Sequence, residues 1–119
     1  MIVPALALLL AVIQAAELEP GTYLGRLAVP GAPLELAVHF ERDASGWSGR
    51  VDIPAQAIVD LPLSTVTVSA NALSFAAAAL SAEFQLTPDG EGWSGHMIQG
   101  AGRAPFSLRK LAEGELSCP

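Results

Sequence analysis

Apolar and polar residues alternate with a period of two along most of the chain. Leu34, Leu36, Val38 and Phe40 are interleaved with Glu35, Ala37, His39 and Glu41. Successive side chains of a strand point to opposite faces, so such a run has one apolar face to bury. Val66 and Val68 alternate in the same way with Thr65, Thr67 and Ser69. Phe84 and Leu86 alternate with Glu83, Gln85 and Thr87, and Phe106 and Leu108 with Ser107 and Arg109. Turn signals break the pattern at the spacing of an all-β sandwich or barrel. They are Pro30-Gly31-Ala32-Pro33, Asp43-Ala44-Ser45-Gly46, Pro54 with Pro62, Ala70-Asn71, Pro88-Asp89-Gly90 and Gly100-Ala101-Gly102. The pattern predicts eight strands, over 22–29, 34–42, 47–53, 63–69, 73–78, 82–87, 93–99 and 105–111. The alanine run Ala76–Ala79 favours helix by propensity, but its neighbours Phe75 and Phe84 suit strands, and we read a hairpin there.

Short connections imply an antiparallel meander, and eight strands can close on themselves and remove the edges. The expected fold is all-β, an antiparallel up-and-down barrel or rolled sheet of about eight strands. Its inner face would carry Tyr23, Leu27, Val29, Leu34, Leu36, Val38, Phe40, Trp47, Val51, Ile53, Val66, Val68, Leu73, Phe75, Phe84, Leu86, Trp93, Met97, Phe106 and Leu108. At a packing density of about 0.75 these side chains should nearly fill so short a cylinder. The expectation is therefore a filled core, with only a shallow cleft at one mouth beside Ala77 and Ala82.

The N-terminal residues are of another kind. No charged side chain precedes Glu17, and residues 2–13 form an apolar run. Twelve residues span only about 18 Å as a helix, short of the roughly 30 Å hydrocarbon core, so a transmembrane anchor is not expected. The run has the length of a secretory h-region, with cleavage after Ala15 or Ala16. Residues 1–16 are read as a signal peptide, 17–111 as the β-barrel domain and 112–119 as a C-terminal tail. The expected location is the periplasm or the extracellular medium.

The chain has 119 residues, with 6 Lys+Arg against 12 Asp+Glu and a net charge of −6. That balance argues against a nucleic-acid partner, which requires a basic face. The hydrophobic content of 51% is too high for a disordered segment. The single cysteine, Cys118, excludes an internal disulfide and a Cys-based zinc site.

An internal repeat runs through the barrel domain. Asp43-Ala44-Ser45-Gly46-Trp47-Ser48-Gly49 matches Asp89-Gly90-Glu91-Gly92-Trp93-Ser94-Gly95 as D-x-x-G-W-S-G, with a looser copy at Gly21-Thr22-Tyr23-Leu24-Gly25. The aspartate can cap a tight turn through its own side chain. The pairs Tyr23–Gly25, Trp47–Gly49 and Trp93–Gly95 each place an aromatic residue and a glycine on one strand face. A ring lying over the missing side chain would let the strand bend, a device for curving sheets.

The stretch 21–111 resembles the small β-domain that precedes the catalytic domain of secreted bacterial α/β-hydrolases. The matching pieces are Gly21–Gly25, Val29-Pro30-Gly31, Trp47–Gly49, the run 61–68 and the run 106–110. Tyr23 stands where that family usually has tryptophan, and no hydrolase domain follows within the sequence. The resemblance implies a non-catalytic accessory module. The opening motif is also distantly similar to lipocalin-like barrels.

The residues themselves point to no catalytic group, cofactor or metal. Gly46-Trp47-Ser48-Gly49-Arg50 and Gly92-Trp93-Ser94-Gly95-His96 lack the last glycine of G-x-S-x-G, and both lie in strands rather than at a strand-to-helix elbow. His39 and His96 fall on outward positions and do not make a zinc-ligand set. Asp89 and Glu91 lack the alternating oxygen ligands of a calcium loop. No carboxylate pair is placed for acid–base work. Three readings of function stand side by side. The first is an exported, non-catalytic interaction module with an unidentified protein partner or hydrolase. The second is a lipocalin-like binder of a small apolar ligand, and the third an accessory fragment of a secreted α/β-hydrolase.

Overall fold

The computed structural model describes residues 18–31 and 33–111, so the expected signal peptide and the tail lie outside the described residues. Nine strands form one sheet: β1 (Gly21–Leu27), β2 (Leu34–Asp43), β3 (Gly46–Ile53), β4 (Ile58–Pro62), β5 (Thr65–Val68), β6 (Leu73–Ala77), β7 (Ala82–Asp89), β8 (Gly92–Gln99) and β9 (Gly102–Lys110). Their order is β4-β3-β2-β1-β9-β8-β7-β6-β5, and every neighbouring pair is antiparallel. The fold is all-β and barrel-like, as the period-two pattern required.

The ninth strand has a simple origin. β4 and β5 are opposite edges of the sheet yet consecutive in the chain, joined only by Leu63 and Ser64. The Leu63 N–H donates to the Gly49 carbonyl on the β3 side at 2.9 Å, and the Ser64 N–H donates to the Ala76 carbonyl on the β6 side at 2.8 Å. One bent segment thus pairs first with β3 and then with β6, and the curled sheet meets itself there. The sequence pattern captured the second half of this segment and missed the first. β4 ends in Pro62, and its pairing with β3 shifts register between Val51 and Ile53, which hides the alternation. Across that bulge Val59 and Asp60 stand opposite Asp52, and Asp60 takes a left-handed φ of 56°.

The connections β3–β4 and β6–β7 share a design. Each is a single 3-10 turn, Pro54–Gln56 or Ala78–Leu80, closed by a left-handed residue, Ala57 or Ser81. The alanine run therefore ends a hairpin strand and supplies one tight turn.

Aromatic rings form the middle layer of the core. Tyr23 meets Phe40 edge-on at 5.5 Å, Phe40 meets Phe75 at 5.4 Å, and Phe75 stacks on Phe84 at 4.6 Å. Phe106 packs against Phe84 at 4.8 Å. Most of the expected inner face is buried here, while Val29, Leu34, Trp47, Val66, Val68 and Met97 are half-buried and pack against it. Leu18 and Ala82 join the core cluster, and Ala77 is fully buried.

The glycines of the repeat motif are points of close approach. The atoms nearest to where a Gly25 side chain would stand belong to the Phe106 ring and Leu108, not to Tyr23. Gly49 makes room for the His39 carbonyl and for Leu63, and Gly95 for the β7 backbone at Gln85 and Leu86. Neighbouring strands and their side chains approach these glycines closely. Trp93 is buried as expected. Trp47 is only half-buried, with the Arg42 guanidinium 5.5 Å from its ring centroid.

Candidate binding cavity

The two ends of the barrel differ in chemistry. At one end gather the described residues of the β1–β2 connection, the two 3-10 turns with their closing residues, and the turn 100–101. In sequence these connections read Ala-Val-Pro-Gly-Ala-Pro, Pro-Ala-Gln-Ala, Ala-Ala-Leu-Ser and Gly-Ala, without one charged residue. At the other end lie the turns opened by Asp43 and Asp89, together with Glu19 and Lys110, the latter two 3.4 Å apart.

The charged end is closed by the chain itself. Leu18 is buried there, and the Tyr23 hydroxyl donates to the Glu19 carbonyl at 2.9 Å while accepting from the Glu19 N–H at 3.1 Å. Burial pushes the Tyr23 phenol above its ordinary pKa, and the neighbouring Glu19 charge adds to that. A polar group so placed would cost stability if left unpaired, and the reciprocal bonds remove that cost.

The uncharged end opens into a cavity of about 470 Å³. Its floor is Phe75, Phe84, Val51 and Leu36, and its walls include Leu27, Ile53, Leu63 and Met97. Pro33, Ala55 and Leu80 stand around the opening. Gln56 and Gln99 are its polar side chains, and the Gln99 amide donates to the Leu80 carbonyl at 2.7 Å. This corrects the expectation of a filled interior, since such a volume lies within the range of small-molecule sites. The cleft does lie beside Ala77 and Ala82, where it was expected. Bulk is unevenly distributed along the inner face. The rings fill the middle layer, and the upper layer is lined by aliphatic side chains and two alanines.

A second cluster lies on the outer face. His39 Nε2 is 2.9 Å from Asp52 Oδ2, and its Nδ1 is 3.0 Å from Thr22 Oγ1. The Asp60 N–H donates to Asp52 Oδ1 at 2.7 Å, and the Arg50 guanidinium reaches Asp60 at 3.1 Å. The Asp60 amide holds the Asp52 carboxyl below its ordinary pKa, assisted by His39 and against a partial burial cost. His39 was expected at an outward strand position, and these contacts were not foreseen. The hairpin register that sets Thr22 opposite His39 was the signal available for the first contact. A hydroxyl, an imidazole and a carboxylate thus lie in a row. The row runs across the convex side of the sheet, away from the cavity, and ties β1, β2, β3 and the β4 bulge together.

The remaining candidates sit apart. Ser48 lies exposed on β3, and the Ser94 hydroxyl on β8 donates to Asp89 at 3.0 Å. His96 Nδ1 is 3.4 Å from the Arg103 guanidinium. Among the described residues no three His, Cys, Asp or Glu side chains gather to hold a metal ion.

Fold and cavity together define a barrel-like all-β chain closed at one end and apolar at the other. Comparison with protein-family models, curated proteins and solved structures finds no match to this chain.

Proposed function

We propose that the chain is an exported, non-catalytic binding module that takes a small apolar molecule into the open mouth of its barrel. The observation that carries this reading is the cavity of about 470 Å³ with an apolar floor and an uncharged rim. Transfer of an apolar ligand from water into such a site gains roughly 25 cal/mol per Å² of area buried. The plugged opposite end supports the reading as well, because it makes the cavity a blind pocket rather than a channel. Export rests on the apolar N-terminal run, and association with a secreted α/β-hydrolase rests on the sequence resemblance.

The test is titration with an environment-sensitive apolar dye, followed by displacement with short aliphatic compounds. Saturable one-to-one binding at micromolar affinity is expected. Absence of saturable binding for every apolar probe would overturn the reading. A pull-down from native periplasm or medium tests the hydrolase association separately.

A further inference from the structure

We infer that the cavity takes a neutral single-chain amphiphile, its tail directed inward and an uncharged hydrogen-bonding head held at the rim by Gln56 and Gln99. The inference deepens the binding reading and rests on it. Size sets the first limit. At roughly 30 Å³ for each water-sized group, the space of about 470 Å³ holds on the order of fifteen such groups. That suits one medium-length chain and is too small for a two-chain lipid.

Chemistry sets the second limit. None of the described residues lining the cavity is Asp, Glu, Lys, Arg or His. The four connections around the mouth are uncharged in sequence. The arginines on strands at this end are engaged on the outer face, Arg26 with Glu35 at 3.4 Å and Arg103 with His96 at 3.4 Å. A carboxylate or sulfate head would therefore find no counter-ion at the rim, and the net charge of −6 would oppose its approach. A quaternary ammonium head would likewise find no carboxylate or aromatic cage among the described residues that line the cavity. Two glutamine amides supply donors and acceptors without charge. Gln99 donates to the Leu80 carbonyl, and its own side-chain oxygen remains an acceptor. A hydroxyl head matches such groups, because it can donate to an amide oxygen and accept from an amide N–H.

The experiment holds the tail constant and varies the head. Native protein is titrated at pH 8 by calorimetry with 1-decanol below its aqueous solubility limit, and with decanoate and decyltrimethylammonium below their micelle concentrations. The expected result is one-to-one binding of decanol, with both charged analogues at least tenfold weaker. Equal or tighter binding of either charged analogue would overturn the head-group inference while leaving the cavity as a binding site. Failure of all three to bind would overturn the binding reading itself. A second measurement uses Ala77→Leu, which adds a branched side chain to the cavity wall. With a native circular dichroism spectrum, this variant should bind decanol at least tenfold more weakly. Unchanged affinity in a folded variant would place decanol elsewhere and overturn the inference. The head-group comparison uses the native chain alone and does not depend on how the variant folds.

Discussion

A side chain at Gly95 would overlap the carbonyl oxygen of Gln85 and crowd Leu86 on the same strand. Backbone within a paired strand cannot step aside, so Gly95→Ala should destabilise the fold by about 3 kcal/mol or more. At Gly25 the obstacle is the tip of the Phe106 ring, 2.7 Å from the added carbon. A ring tip can yield in part, and Gly25→Ala should cost about 1–3 kcal/mol. Urea unfolding of both variants checks the order, and a milder effect at Gly95 would contradict the close strand approach. The tryptophans form a second contrast. Trp93 is 4% exposed, whereas Trp47 is half-buried under Arg42. Trp93→Ala should cost about 3–5 kcal/mol, and Trp47→Ala about 1–2 kcal/mol in proportion to the area it buries. In single-tryptophan variants, iodide should quench the emission of Trp47 and spare that of Trp93.

The two repeat turns show how one motif serves two geometries. In the first, Asp43 accepts from the N–H and hydroxyl of Ser45, both at 2.8 Å, and these bonds hold its carboxyl below the ordinary pKa. The positive φ falls at Gly46. In the second, the positive φ falls at Gly90, and Asp89 accepts from the Ser94 hydroxyl further along β8. The aspartate as a turn cap was legible from the motif, but its partner in the second copy was not. At the β3–β4 bulge, Asp52 is a further acid-sensitive element. Its folded pKa lies below its unfolded value of about 4, so its stabilising effect is complete above that value. The effect is lost as pH falls through the lower folded pKa. Asp52→Asn keeps an acceptor for the Asp60 amide and removes the titration. Chemical denaturation at pH 6 and pH 3 should therefore show a smaller loss of stability in the variant than in the native chain. An identical loss would indicate that Asp52 titrates normally.

On the scale of the whole molecule, closure and polarity arise together. The bent segment from β4 through β5 joins the two sheet edges, and the alternating strand directions gather uncharged connections at one end. Leu18 and the Glu19–Tyr23 bonds close the other. Export enters at this scale. Cleavage after Ala15 or Ala16 would leave Leu18 near the new terminus, free to take its place in the core. Intact mass of protein recovered from the native host should show a chain beginning at Ala16 or Glu17. Recovery of the Met1-bearing chain from the cytoplasm would count against export.

The strands, their buried faces and the capped turns are properties of neighbours in the chain. Leu36, Val38 and Phe40 announce their common face because side-chain direction in a strand depends only on sequence parity. The barrel-like class followed from counting such segments and the turns between them. What the tertiary structure decided depends on residues far apart in sequence. The closing segment needs Gly49 and Ala76 to accept from adjacent residues, 63 and 64, on opposite sides. The His39–Asp52 contact needs the register of β2 against β3, and the bulge that binds Asp60 is invisible to a period-two pattern. The cavity is likewise a property of volume. The list of inward residues was nearly right, but whether they fill a space depends on the height at which each one sits. Aromatic rings from Tyr23 to Phe106 pack below the mouth. There Ala77 follows Phe75 and Ala82 precedes Phe84 on their strands, which leaves the mouth open.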